Sequence, residues 1–214
     1  MNKTQIRSVV YVVDDDASVR NSLSSLFRSV DFSVESFSAA GDFLKHKRAD
    51  APSCMILDVR MPGLNGLDFQ AGLTEAGIEI PIVFLTGRGD IQMSVRAMKS
   101  GAIDFLTKPY REQDMLDAVT TALERDRKRR EARRLTSDIR ACFDTLSTRE
   151  KEAMSFLASG LMNKQVAEKM GLAEITVKIH RGSIMRKMHA KSFADLVKMS
   201  EALGRNDIIS IVQT

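Results

Sequence analysis

Short apolar runs, each closed by polar residues, punctuate the first half of the chain. They read VVYVV at 9–13, FSVESF at 32–37, CMIL at 54–57, IVFL at 82–85 and IDFL at 103–106. Most are too short for helices and are apolar on both faces, as parallel strands covered by helices are. Segments 18–30, 39–45, 67–76, 91–100 and 112–123 fill the intervals as helices, with Gly101 stopping the fourth. The pattern then changes. ERDRKRREARR at 124–134 contains neither Gly nor Pro and is rich in helix formers, so the fifth helix is expected to run on through it. Leu116, Val119 and Leu123 form an apolar stripe that fades among the arginines, which argues against a long coiled coil. Residues 147–203 divide into four short helices. Ser147 with Glu150 makes a capping-box opening. Gly160 stops the first helix, Gly171 closes the second at 163–170, and the third and fourth span 174–188 and 192–203.

This alternation predicts an α/β doubly wound, five-stranded parallel sheet of the flavodoxin-like kind. A helical linker joins it to an all-α, four-helix domain with a helix-turn-helix: a short helix, a glycine turn and a longer basic helix. The expected boundaries are 1–123 for the sheet domain, 124–144 for the basic linker, 145–205 for the helical domain and 206–214 for a tail. The tail, IISIVQT at its end, is open between disorder and a small docking contact.

A length of 214 residues accommodates two small domains, and 43% apolar with 28% charged residues is ordinary for soluble protein. No apolar stretch reaches the length of a membrane span. MNKTQIRS leads directly into a strand-like run, so no signal peptide is expected. Cys54 and Cys142 show no metal-ligand spacing, and a reduced cytoplasmic protein without a structural disulfide is expected. The total charge of +4 conceals an asymmetry: residues 1–124 carry a net −4 and residues 125–214 a net +8. Two domains with different partners are suggested, the basic one either a candidate for nucleic acid or simply a solvated basic surface. The arginine run itself reads either as a solvated helical spacer or as a basic arm that touches phosphates or the other domain.

Asp14 and Asp15 end the first strand, Asp58 the third, Thr86 the fourth, and Lys108 follows the fifth. In a parallel sheet these positions share the carboxyl edge, where open α/β sheets bind ligands. Three clustered carboxylates repel one another unless a cation is present, and Mg²⁺ suits oxygen donors. Asp58 is then a carboxylate nucleophile toward phosphorus. Lys108 offsets charge on the transferring phosphoryl group, and Thr86 offers it a hydroxyl. Phe105, inside the fifth run, reads as strand core.

On the third helix of the second half, at about 100° per residue, Val177, Ile184 and Met188 share a core face with His180 at its edge. Lys178, Ile179, Gly182, Met185 and Arg186 lie opposite. In a recognition helix that outer face enters the major groove. Lys178 and Arg186 suit guanine edges, and Ile179 a thymine methyl. Arg181, Lys164 and Thr176 are placed for phosphates.

VVDDD, ILDVRMPGLNG, FLTGRGD and DFLTKPY resemble the motifs of response-regulator receiver domains, in order over about the first 123 residues. LSTREKEAMSFLASGLMNKQVAEKMGLAEITVKIHRGSIMRKM resembles the LuxR-type DNA-binding domain, so the whole chain is similar to a NarL/FixJ-class response regulator, nearest its FixJ branch. The resemblance implies that Asp58 is the phosphoacceptor. It implies that Asp15, Asp58 and the Arg60 backbone carbonyl hold Mg²⁺, with Asp14 acting through water. Thr86 and Lys108 would sense the phosphoryl group, Phe105 would be the aromatic switch, and Lys108–Pro109 a cis bond. The implied partners are a sensor histidine kinase, double-stranded DNA and a second copy on phosphorylation. RNA polymerase is a candidate partner, and activation is the expected effect on transcription. Two departures stand out. Ala173 occupies a helix-capping position usually held by Ser or Thr, at a cost of about 1 kcal/mol. Gly182 sits inside a helix at a similar cost of about 1 kcal/mol. Both point to weak DNA binding by one domain, strengthened by dimerisation. Two other readings compete: a receiver acting as a fixed dimerisation platform, and an Asp-nucleophile phosphohydrolase. The intact acidic pocket argues against the first. The lack of a nearby second acid–base carboxylate and of a substrate-domain insertion argues against the second.

Overall fold

Strands β1 (Val9–Val13), β2 (Ser33–Phe37), β3 (Ser53–Asp58), β6 (Ile82–Thr86) and β7 (Asp104–Thr107) form one parallel sheet in the order β2-β1-β3-β6-β7. The computed structural model describes residues 7–87 and 91–204. The chain builds outward from β1 to β2, then crosses to β3 on the other side, which makes β1 and β3 the switch point of the sheet. Side chains alternate between two cores, as the period of two demands. Tyr11, Met55, Leu57 and Phe84 join Phe43 of α2 (Ala40–Lys45) and Leu73 of α3 (Gly66–Glu75) on one face. Val10, Val12, Ile56 and Val83 join Leu23 and Phe27 of α1 (Ala17–Ser29) and Met115 and Val119 of α5 (Glu112–Asp144) on the other. The central strands β1, β3 and β6 are buried on both faces, while β2 and β7 at the edges are only half-buried.

The strand and helix expectations hold with small shifts at the ends. One pair of strands was not anticipated. β4 (Arg60–Met61) and β5 (Leu64–Asn65) fold back as an antiparallel hairpin directly after β3. Gly66 follows it, donating to the Val59 carbonyl at 2.8 Å, and a Cβ there would meet the Asp58 carbonyl oxygen at 2.6 Å. Only glycine fits so close to the strand end, and Asn65 caps α3 from the same turn by accepting from the Leu67 amide at 2.9 Å.

The chain divides into two compact units, Met1–Arg130 and Glu131–Thr214. The expected linker beginning at 124 is therefore divided between the two units, and its first part is docked on the first unit rather than wholly solvated. Asp126 is fully buried. Its carboxylate accepts from the Ser53 amide at 2.9 Å and from Arg130 Nε at 2.7 Å, and also pairs with Arg129. Arg130 reaches on to Asp50 at 2.6 Å, Arg129 to Glu79 at 3.1 Å, and Arg127 to Ser8 Oγ at 2.9 Å. These arginines hold α5 against the feet of the sheet; Asp126 is what draws two of them inward. Residues 131–138 are exposed.

In the second unit, Ile139 and Phe143 near the end of α5 pack with α6 (Thr148–Ala158), α7 (Asn163–Met170), α8 (Glu174–Lys187) and α9 (Phe193–Ala202). Met154, Leu157, Val166, Val177, Ile184, Met188 and Leu196 fill the core. The Ser147–Glu150 capping box forms in both directions, and Gly171 ends α7 in the left-handed conformation. Ala173 stands at the start of α8 without a side-chain cap, as expected. No described helix is long and apolar enough to cross a membrane. The expected tail, 206–214, and the Arg88–Asp90 end of the FLTGRGD motif lie outside the described residues.

Candidate functional site

Strand register assembles the acidic pocket. Val13 pairs with Leu57, and Asp58 with Leu85. Asp14 therefore follows β1 beside Asp58, Thr86 extends one residue further on β6, and Thr86 pairs with Thr107, which hands the chain to Lys108. Four adjacent strands thus deliver their terminal polar residues to one edge. Lys108 Nζ donates to Asp14 Oδ2 at 2.7 Å and to Asp58 Oδ2 at 2.8 Å. The Arg60 amide donates to Asp58 Oδ1 at 2.9 Å, and the Asp16 amide to Asp14 Oδ1 at 2.9 Å. The Lys108–Pro109 bond is cis, and the Lys108 amide donates to the Thr86 carbonyl at 2.7 Å.

Asp14 is 1% exposed and Thr86 is buried, whereas Asp15 faces solvent. Burial raises the Asp14 carboxyl above the ordinary range, and the nearby Asp58 charge adds to that. Hydrogen bonds from Lys108 and the Asp16 amide oppose it. Burial works against the Lys108 ammonium, yet the hydrogen bonds and charges of Asp14 and Asp58 prevail and lift it above the usual lysine value. One oxygen each from Asp14, Asp15 and Asp58 lie within 4.8 Å of one another. All three donors are oxygen, and their negative charge exceeds what one ammonium balances, which fits a hard divalent cation such as Mg²⁺.

Phe105 sits one position below this edge, paired with Phe84 in the sheet and tilted against its ring at 6.3 Å. It is half-buried. Arg20 was not anticipated. From α1 it donates to the main-chain carbonyls of Asp14 and Asp15 at 2.7 and 2.9 Å, fixing the loop that carries both carboxylates. Its place in the second turn after the DDD run was the only sequence signal for it.

The second candidate interface lies on α8. Lys178, Ile179, Gly182 and Arg186 are exposed together, as expected, and so is Lys164 on α7. Thr176 is half-buried. Lys178 also lies 3.4 Å from Glu174 in an exposed pair worth little. One residue differs from expectation. Met185 is half-buried and packs on the core rather than facing outward. Arg181, expected to be placed for phosphates, lays its guanidinium over the Phe193 ring at 4.6 Å and donates to Asn163 Oδ1 at 3.5 Å. Cation–π stacking draws it onto the fourth helix of the unit.

The family model described as response regulator receiver domain matches residues 10–120, and that described as bacterial regulatory proteins, luxR family, matches residues 144–200. Nodulation protein W of Bradyrhizobium diazoefficiens is 57% identical over 198 residues, 92% of this chain and 87% of that protein. Among solved structures, response regulator StyR is similar with a TM-score of 0.80 and 47% identity, covering 91% of this chain and 98% of that one. Full-length FixJ from B. japonicum is similar with a TM-score of 0.55 and 35% identity, covering 92% and 97%.

Proposed function

This chain belongs to the NarL/FixJ class of response regulators and is a DNA-binding transcriptional regulator of a two-component system, and from that premise we propose that Asp58 is its phosphoacceptor. The observation that carries the proposal is Lys108 Nζ bridging Asp14 and Asp58 at 2.7 and 2.8 Å. It joins three strand ends in one charged pocket.

An Asp58 carboxylate oxygen attacks the phosphorus of a histidine-kinase phosphohistidine. The O–P bond forms as the P–N bond breaks, and the imidazole leaves with the electron pair. Asp15, Asp58 and the Arg60 carbonyl would hold Mg²⁺, with Asp14 acting through water; when bound, the ion neutralises charge on the transferring group. Formation of the acyl phosphate removes charge from the Asp58 carboxylate, so Lys108 turns from it toward the phosphoryl oxygens. The Thr86 hydroxyl donates to the same group, and Phe105 repacks into the space Thr86 leaves. Helix α4 (Ile91–Lys99), beside β7, exposes Ile91, Val95 and Met98. We assign receiver dimerisation to this face. The paired helix-turn-helix units then bind two DNA half-sites, in the cytoplasm, and activate transcription by contacting RNA polymerase.

Intact-mass measurement after incubation with acetyl phosphate and Mg²⁺ tests the central step. Wild type gains one phosphoryl group; Asp58→Ala gains none, and chelation by EDTA abolishes labelling of wild type. A phosphorylated Asp58→Ala protein would place the acceptor elsewhere.

A further inference from the structure

Two large apolar side chains on α8 take no part in its packing. Ile175 and Ile179 are 64% and 66% exposed, while Val177, Ile184 and Met188 of the same helix are buried. One exposed isoleucine is unremarkable on a protein surface. Two at a spacing of four are neighbours on one helical face. At about 100° per residue they lie roughly 40° apart, with Gly182 and Arg186 in the same sector and the core residues opposite. The isoleucines contribute nothing to helix propensity, since β-branched side chains lose rotamer freedom there. The core does not need them.

Their surroundings indicate what covers them. Lys178 and Arg186 are exposed on the same side of α8, and residues 125–214 carry a net +8. Protein-binding patches are depleted of lysine at their centre, whereas a DNA-facing helix needs cations around any apolar contact. The major groove presents one apolar group, the thymine 5-methyl. The first turns of a recognition helix are the part that meets base edges, and Ile175 and Ile179 stand in the first and second turns of α8. Gly182 completes the face. A Cβ there would meet nothing within 4 Å, so its missing side chain leaves the helix backbone bare toward the groove.

We propose that Ile175 and Ile179 form a paired reader of thymine methyls, with Gly182 permitting the close approach of α8 that both contacts require. The inference rests on the assignment of α8 as the DNA-contacting helix and specifies what that helix reads. Four residues of helix rise about 6 Å, less than two base-pair steps of about 3.4 Å. The two thymines therefore lie on neighbouring or next-neighbouring base pairs of each half-site.

The test uses the full chain treated with acetyl phosphate and Mg²⁺, and a site selected by it from random-sequence duplex DNA. Each thymine of that site is replaced in turn by deoxyuridine, which removes the methyl and leaves every hydrogen-bonding group. Two positions per half-site should each weaken wild-type binding about fourfold, the value of one buried carbon. Ile175→Ala should lose the thymine-over-uracil preference at one of them and Ile179→Ala at the other, while both variants keep the wild-type circular-dichroism spectrum. A specific site that tolerates deoxyuridine throughout would overturn the methyl reading and leave the DNA-binding assignment intact. So would a preference unchanged in both variants. Failure to select any sequence would overturn the DNA-binding assignment, and this inference with it.

Discussion

Single side chains hold charge where burial opposes it. Glu150 is largely buried, and burial by itself would raise its carboxyl. Hydrogen bonds from Lys187, Ser183 and the Ser147 amide and hydroxyl outweigh that and bring it down to about 2, with Lys187 Nζ at 2.7 Å. A depressed acid stabilises the fold above its ordinary value, 4.5, and that stabilisation fades as the pH falls toward 2. Glu150→Gln should therefore cost up to about 3 kcal/mol at pH 7, with the gap to wild type closing between pH 4.5 and 2. Urea unfolding of the second unit, followed by far-ultraviolet circular dichroism, measures it; a gap independent of pH would show that the ion pair is not its source. Legibility at this scale divides by chemistry. Asp14, Asp58, Thr86 and Lys108 could be placed because each ends a short apolar run. Arg20 could not, because its partners are main-chain carbonyls that any sequence possesses.

Secondary-structure elements were readable where periodicity alone decides them, and less so where tertiary contacts set their limits. The strand and helix intervals follow from alternation, glycine stops and the Ser147 capping box. The hairpin after β3 carries too few residues to show a period. The arginine run had the composition of a solvated helix, and part of it is docked instead. Asp126 explains the difference. Replacing it by Ala leaves the Ser53 amide without its acceptor and Arg129 and Arg130 without their central partner. The expected loss is about 3 kcal/mol in the first unit, read as a lower urea midpoint for that unit. A loss of a few tenths would mean that the cluster behaves as ordinary surface pairs do.

At the scale of the molecule, phosphoryl chemistry and DNA contact belong to separate units and should be separable by mutation. Lys178→Ala should accept a phosphoryl group from acetyl phosphate as wild type does, sediment as a dimer once modified, and bind its selected DNA site roughly ten-fold more weakly, a typical cost for one lost base contact. Asp58→Ala should remain a monomer under the same conditions. Sedimentation velocity and fluorescence anisotropy with labelled duplex report the two properties independently. A Lys178→Ala protein that cannot be phosphorylated would refute the division of labour.

The sequence by itself determined the order of the elements, the opposed charges of the two halves and the residues at the carboxyl edge of the sheet. Periods of two and 3.6 are local, and parallel strand order brings the ends of consecutive strands to one side. Only the tertiary structure decided that Asp126 is buried against Ser53, 73 positions away, that Arg181 stacks on Phe193, and that Ile175 stands in solvent beside Ile179. Each of these depends on which distant surface a side chain meets. An arginine in a helix or an isoleucine in a basic stretch looks the same along the chain whether it is covered by a ring, by a carboxylate or by water.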